Sequence, residues 1–131
     1  MEVQKAFSLE EANGMLPSLQ AKVQRIVRTH RELKSFHEAH RAWFDGVRKA
    51  GNALVPPGYF RGLLRLQAIL DEVGELGCMV KDPATGLIDI PAVREGRTVF
   101  LCWRLGEERI GWWHEIDGGF AGRRPVDAEF S

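Results

Sequence analysis

The sequence predicts an α+β fold, in which a long antiparallel helical hairpin precedes a small antiparallel β-sheet of about four strands. Apolar residues recur three and four positions apart through the first half of the chain, which is the helical period. From Cys78 onward, short alternating segments are separated by Gly and Pro, as in β-hairpins. The 131 residues fit one domain, with a helical part at 1–77 and a β-rich part at 78–131.

The composition is that of a globular protein, with 44% hydrophobic and 27% charged residues. Eighteen Lys and Arg balance eighteen Asp and Glu, so the net charge favours neither nucleic acid nor an anionic membrane as partner. We expect no membrane span, because no stretch approaches about 20 apolar residues. The first residues lack the apolar core of a signal peptide, and two cysteines are too few for a disulfide scaffold. We therefore expect a cytoplasmic protein.

A helix start is predicted at Ser8, where Ser8 and Glu11 form a capping box and Phe7 occupies the position of a hydrophobic staple. Pro17 follows within the pattern. Because proline lacks the N–H donor and its ring clashes with the carbonyl of Asn13, we expect a kink or a break there.

The long helix is predicted from about Pro17 to Ala50, with Gly51 as its C-terminal cap. At about 1.5 Å per residue it is about 50 Å long. One set of its positions alternates three and four residues apart, as in a coiled-coil seam. The set consists of Leu16, Leu19, Val23, Ile26, His30, Leu33, His37, His40, Phe44 and Val47.

A second helix is predicted from about Tyr59 to Leu76, antiparallel to the first because the connection is short. It is about 27 Å long and covers only the C-terminal half of its partner. The seam from Leu16 to Ile26 is left for the sheet or for a second copy of the chain. Acidic residues of the second helix are expected opposite basic residues of the first, namely Asp71, Glu72 and Glu75 opposite Arg31 and Lys34.

Four strands are predicted, at Cys78–Lys81, Leu87–Ile90, Thr98–Arg104 and Arg109–Ile116, with Pro91 ending the second. Counting alternate residues puts Val99, Leu101, Trp103, Ile110, Trp112 and His114 on one face. The same count puts Phe100, Cys102, Arg104, Trp113 and Glu115 on the other. Both faces carry large aromatic residues, which is a second indication of dimerisation.

Five motifs resemble a family of small prokaryotic proteins known as domain of unknown function 2203. They are FSLEEAN at 7–13 with Leu16-Pro17, VKD at 80–82 with GLID at 86–89, LCWRLGE at 101–107, IGWWH at 110–114 and GRRP at 122–125. The resemblance covers nearly the whole chain. It implies a bacterial, cytosolic, single-domain protein without an assigned activity, and it supplies no catalytic residues.

The candidate catalytic residues are Asp89, Glu107 and His114, because carboxylates beside an imidazole can perform acid–base chemistry or bind a divalent metal. Carboxylates at these positions are also explained by a purely structural role in the hairpin turns, without any catalytic or metal-binding role. Further metal candidates are Asp82 and Glu115 in the strand region, and His30, His37 and His40 on the helical seam. The histidines equally suit a role in fixing helix register.

The candidate binding residues are Trp103, Trp112 and Trp113 for a protein partner, and Arg123 and Arg124 for an anion. The basic residues of the long helix wind around it at a spacing of three and form no nucleic-acid stripe. Cys78 and Cys102 are interpreted as buried thiols.

These observations favour a non-enzymatic interaction or scaffold protein that forms a homodimer through its long helix or binds an unknown protein. A small metal-dependent or acid–base enzyme using Asp89, Glu107 and His114 is the alternative. No cofactor is expected, although a divalent metal stays open.

Overall fold

The computed structural model describes residues 5–49, 56–128 and 130. Three helices come first: α1 at Leu9–Ala39, α2 at Arg41–Lys49 and α3 at Pro57–Glu75. Five strands follow: β1 at Met79–Asp82, β2 at Leu87–Arg94, β3 at Arg97–Arg104, β4 at Trp112–His114 and β5 at Arg124–Pro125. The predicted α+β class is confirmed. The sheet has one strand more than expected, because two residues near the C-terminus pair with β4.

The capping box at the start of α1 is confirmed: Glu11 N donates to Ser8 Oγ, and Ser8 N donates to the Glu11 carboxylate. We expected a kink or a break at Pro17, and the break is wrong, because α1 continues through that residue. Pro17 lies on the exposed side, whereas Leu16 and Leu19 beside it are buried. Packing of these leucines in the core keeps the helix continuous past the proline.

The break occurs instead at His40, between α1 and α2. The His40 ring lies 2.9 Å from the carbonyl oxygen of Phe36 through Nδ1, and it stacks on the Phe36 ring at 4.1 Å between centroids. The backbone N–H of His40 donates to the same Phe36 carbonyl at 3.1 Å, so the ring and the backbone share one acceptor. The prediction of one uninterrupted helix from Pro17 to Ala50 is therefore wrong. The predicted C-terminal cap at Gly51 lies outside the described residues.

Helix α3 packs antiparallel against α1, as predicted. Gly62 lies so close to Leu33 that a β-carbon there would be 2.6 Å from Leu33 Cδ2. At the other end, Lys22 Nζ lies 3.5 Å from Glu72 Oε1, and Arg25 lies 3.9 Å from the same carboxylate. The expected pairing of Glu72 with Arg31 and Lys34 is wrong by two to three helical turns.

The seam between Leu16 and Ile26 is buried within one chain. Leu19, Val23 and Ile26 belong to a single core with Ile90 and Leu101 of the sheet. Ile69 and Val73 of α3 belong to the same core. The sheet and α3 therefore both cover this segment, and the prediction that the second helix leaves it uncovered is wrong. The length difference between the helices leaves no apolar surface here for a second copy.

The strands follow one another in the order β1-β2-β3-β4-β5, and each pair is antiparallel. Strand β2 continues through Pro91, so the prediction that Pro91 ends it is wrong. Strand β1 pairs with β2 only as far as Asp89, and beyond it the Pro91 carbonyl accepts from Phe7 N at 2.7 Å. Proline is tolerated on this side because no ladder donor is required of it.

The predicted faces are wrong for β4. Trp113 pairs with Leu101 and joins the core, whereas Trp112 and His114 lie on the face turned away from the helices. The reason is that β4 starts only at Trp112, after an irregular segment in which Ile110 N donates to the Asn13 side chain. Alternation counted from Arg109 is therefore displaced by one residue.

Candidate functional site

A polar cluster is buried on the outer face of the sheet, which we define as the face turned away from the helices. Its members are Asp89 of β2, Cys102 of β3 and His114 of β4, whose exposed fractions are 3%, 0% and 2%. Asp89 lies directly opposite Cys102, and His114 lies opposite Phe100. His114 consequently reaches diagonally across β3 to Asp89.

The hydrogen bonds of His114 define the proton content of the cluster. Nδ1 lies 2.6 Å from the carbonyl oxygen of Glu115, and a carbonyl can only accept, so Nδ1 carries a hydrogen. Nε2 lies 2.9 Å from Asp89 Oδ1. This contact requires one proton, held either by the imidazole or by the carboxyl group. The pair is neutral overall in both cases, as burial demands.

Cys102 completes the cluster, because one ligand atom from each of the three residues lies within 4.8 Å of the others. Burial is the main reason why the pKa of the Cys102 thiol is raised to about 11, and a hydrogen bond to Asp89 adds to the effect. The thiol therefore keeps its proton at neutral pH. Elsewhere in the described residues, no other His, Cys, Asp and Glu side chains converge in this way.

Arg123 lies beside this cluster. Its guanidinium lies over the rings of Trp112 and Phe120, at 4.8 and 4.7 Å from their centroids. Its Nη2 donates to both carboxylate oxygens of Glu107 at 3.0 Å and, more weakly, to the Cys102 carbonyl at 3.4 Å. Charge and stacking thus hold the segment around Arg123 against β3.

The predicted triad of Asp89, Glu107 and His114 comes together only in part. Asp89 and His114 are in contact. The Glu107 carboxylate accepts hydrogen bonds from Arg123 and, at 2.7 Å, from the backbone N–H of Arg104. It therefore stabilises the turn that follows β3. Cys102, which the sequence pattern predicts to be a buried thiol, is the third member of the cluster.

The remaining metal candidates serve other contacts. Asp82 accepts from the Thr85 hydroxyl and from Ala84 N, and these two bonds lower the pKa of its carboxyl. Glu115 is bound by the Arg97 guanidinium, which lowers the pKa of that carboxyl. His30 lies in a groove between α1 and α3.

His37 and His40 belong to a group of aromatic rings in which α1, α2 and α3 meet. His37 stacks on Phe44 at 4.4 Å, and Phe44 meets Tyr59 edge-on at 5.0 Å. The two histidines pack against aromatic rings, and among the described residues no set of metal-ligating side chains converges on them.

Of the three tryptophans predicted to face a partner, Trp103 and Trp113 are buried in the core. Trp112 is 36% exposed and is partly covered by Arg123. Arg124 is exposed, with its guanidinium 5.2 Å from the Trp113 ring centroid. Of these three tryptophans, Trp112 alone is therefore accessible to a partner.

A second feature is an apolar surface that we call the hairpin tip, formed by residues 32–46 and 57–65. From residue 34 to residue 46 of α1 and α2, no side chain is buried. Four of the large hydrophobic residues that the structure exposes lie on this tip: Trp43, Phe60, Leu63 and Leu64. The sequence contained a signal for it, because Phe60, Leu63 and Leu64 share a helix face adjacent to the one that packs on α1.

Fold and site together define a class of protein, an α+β domain in which a helical hairpin packs on an antiparallel meander that carries a buried Asp-Cys-His cluster. The chain belongs to a family described as uncharacterised conserved proteins, DUF2203, which matches residues 5–126. No curated protein and no solved structure matches the chain. Among the helices of the described residues, none combines the length and the apolar character needed to cross a bilayer.

Proposed function

We propose that this protein is a non-enzymatic interaction protein that self-associates, and that the hairpin tip is its contact surface. The observation that carries the proposal is the concentration of Trp43, Phe60, Leu63 and Leu64 on one exposed end of the molecule. Covering apolar surface of this kind stabilises a complex by about 25 cal/mol for each Å² of surface that is removed from water. These residues lie on α2 and on the first turns of α3, and not on the seam near Leu16.

The tip is suited to binding because its rings are already fixed. Phe44 contacts His37, Trp43 and Tyr59, so α1, α2 and α3 hold one another through side chains. A surface that is ordered before association loses less conformational entropy when a partner covers it. This supports the tip as an interface.

The charges of the tip favour a second copy of the chain as the partner. Its sequence contains four basic residues, Lys34, Arg41, Arg61 and Arg65, and three acidic residues, Glu32, Glu38 and Asp45. Such a mixed surface is self-complementary, because a twofold axis lets acidic groups of one copy meet basic groups of the other. Because these charges nearly balance, they give little electrostatic attraction for nucleic acid or an anionic membrane.

The alternative, a metal-dependent or acid–base enzyme using Asp89, Glu107 and His114, receives less support. Asp89 and His114 are almost completely buried, and Glu107 is held by Arg123. A general acid or base must come within hydrogen-bond distance of its substrate.

The free thiols of Cys78 and Cys102 support placing the protein in the cytoplasm.

Sedimentation equilibrium of two matched variants tests the proposal. Leu64 and Ile116 are both aliphatic and both more than half exposed, at 55% and 64%, but only Leu64 lies on the tip. We expect the wild type and Ile116→Glu to be dimeric at micromolar concentration and Leu64→Glu to be monomeric. A monomeric wild type, or equal dissociation in both variants, would contradict the proposal.

A further inference from the structure

We propose that Asp89, Cys102 and His114 bind one divalent transition-metal ion, with zinc as the ion that their donor set fits best. This inference is independent of self-association and concerns the opposite side of the molecule from the helices. It differs from the enzyme hypothesis, because the third ligand is the Cys102 thiolate and Glu107 takes no part.

The positions of the donors are close to those that zinc requires. With Zn–N and Zn–O bonds of about 2.0 Å and Zn–S bonds of about 2.3 Å, tetrahedral ligands lie about 3.3–3.7 Å apart. Here Nε2 and Oδ1 are 2.9 Å apart, and all three donors lie within 4.8 Å of one another. These observed separations bracket the distances that a tetrahedral zinc ion requires between its ligands.

The second nitrogen of His114 is held in the way that metal-binding histidines are held. Nδ1 donates to the Glu115 carbonyl at 2.6 Å, which fixes the ring and directs Nε2 at the cluster. The lone pair of Nε2 then faces Asp89 Oδ1, which is itself an acceptor. Two acceptors in contact need a cation between them, and a metal ion can take the place of the proton found there.

The charges balance when a metal enters. Without metal, the cluster holds one proton between Asp89 and His114 and a second proton on Cys102. A dication that displaces both protons binds a carboxylate, a thiolate and a neutral imidazole, so the net charge of the site stays at zero. Neutrality matters because all three side chains are almost fully buried.

The charged residues beside the cluster add no net charge to it. Arg123 lies close enough for its charge to act on Cys102, but Glu107 pairs with it through both carboxylate oxygens at 3.0 Å. The donor set of one thiolate, one imidazole and one carboxylate is typical of zinc rather than of calcium or magnesium, which prefer oxygen ligands.

The test uses Zn²⁺ and Co²⁺ added to the full chain, both to the native protein and during refolding, because the cluster is buried. After gel filtration we expect one metal ion per chain in at least one of the two preparations. Bound Co²⁺ should show a near-ultraviolet band from thiolate-to-metal charge transfer.

The two cysteines provide a matched control, since both are buried and only Cys102 belongs to the cluster. Cys102→Ser should abolish the charge-transfer band, and Cys78→Ser should retain it. Asp89→Asn, which keeps a hydrogen-bonding partner for His114, should weaken Zn²⁺ binding by about tenfold or more.

Three results would overturn the inference: no equimolar metal in either preparation, a charge-transfer band that survives Cys102→Ser, or Zn²⁺ binding that Asp89→Asn leaves unchanged. Circular dichroism shows whether each variant is folded. Should Cys102→Ser fail to fold, the affinity of the Asp89→Asn variant decides the matter.

Discussion

At the scale of single residues, the contact between Asp89 and His114 depends on a shared proton. The Glu115 carbonyl fixes the hydrogen of His114 on Nδ1, so a neutral ring presents Nε2 as an acceptor. Any residue at position 89 that can donate a hydrogen bond should therefore preserve the contact, whereas a residue without a donor leaves a buried nitrogen without a partner.

This reasoning predicts different stabilities for two variants in the presence of a chelator. Asp89→Asn should change the free energy of unfolding by less than about 1 kcal/mol, because its amide donates to Nε2. Asp89→Ala should cost about 1–3 kcal/mol, the range for leaving a buried polar group unsatisfied. Urea unfolding measures both, and equal losses would contradict the assigned hydrogen position.

Cys78 gives a prediction for pH. Burial alone raises the pKa of its thiol from the ordinary value of 9.0 to about 11. Below pH 9 both states hold the proton, and between these two values only the folded state holds it. Because the unfolded state then binds fewer protons, the free energy of unfolding falls as the pH rises through this interval.

The measurement compares the wild type with Cys78→Ser by urea unfolding at a series of pH values. The stability of the wild type relative to the variant should be constant below pH 9 and should decline up to about pH 11. A difference that is constant over the whole interval would show that the thiol is not buried as described.

At the scale of secondary-structure elements, local signals predicted what local chemistry decides. The capping box at Ser8, the antiparallel hairpin and the strand segments are all set by neighbouring residues. The behaviour of the chain at Pro17 and Pro91 could not be predicted in this way, because the packing of Leu16 and the end of strand β1 decide it. The interruption at His40 involves a contact four residues back along the same helix, which the spacing of apolar residues does not indicate.

Part of the buried cluster could be predicted from the turn between β2 and β3. Glu95 and Gly96 both have positive φ, 52° and 77°, and form a two-residue hairpin loop. That loop pairs Arg94 with Arg97 and, five residues further from the turn, Asp89 with Cys102. The position of His114 could not be counted, because Asn13 holds Ile110 outside the strand.

Two turn glycines test the packing of the hairpins against the helices. Gly86 and Gly96 both have positive φ, 76° and 77°. A β-carbon at Gly86 would lie 2.8 Å from both Val23 Cγ1 and Leu105 Cβ, whereas one at Gly96 would meet nothing within 4 Å. Gly96 is therefore the control for backbone strain alone.

We expect Gly96→Ala to cost about 1–2 kcal/mol, the penalty for a left-handed residue with a side chain. Gly86→Ala should cost about 1–3 kcal/mol more, because the added methyl group overpacks the contact with α1. Thermal or urea unfolding measures the two variants side by side. Equal costs would show that the turn does not contact α1 as closely as described.

At the scale of the whole molecule, the fold has two regions that differ in packing, namely the sheet end and the hairpin tip. The sheet end contains a neutral polar cluster and the hydrophobic core, which extends along α1 from Ala12 to Val27, although single apolar side chains such as Ile116 are exposed there. The hairpin tip lies beyond this core, and its large residues Trp43, Phe60 and Leu64 are exposed. We infer that the sheet end supplies stability and the tip supplies binding.

Hydrogen–deuterium exchange of the wild type as a function of protein concentration tests the hairpin tip most directly, because it both detects association and locates it. Backbone amides of α2 and of the first two turns of α3 should exchange more slowly as the concentration rises, while those of β2 and β3 stay unchanged. Exchange that is independent of concentration throughout, or that slows on the sheet and not on the tip, would contradict the account.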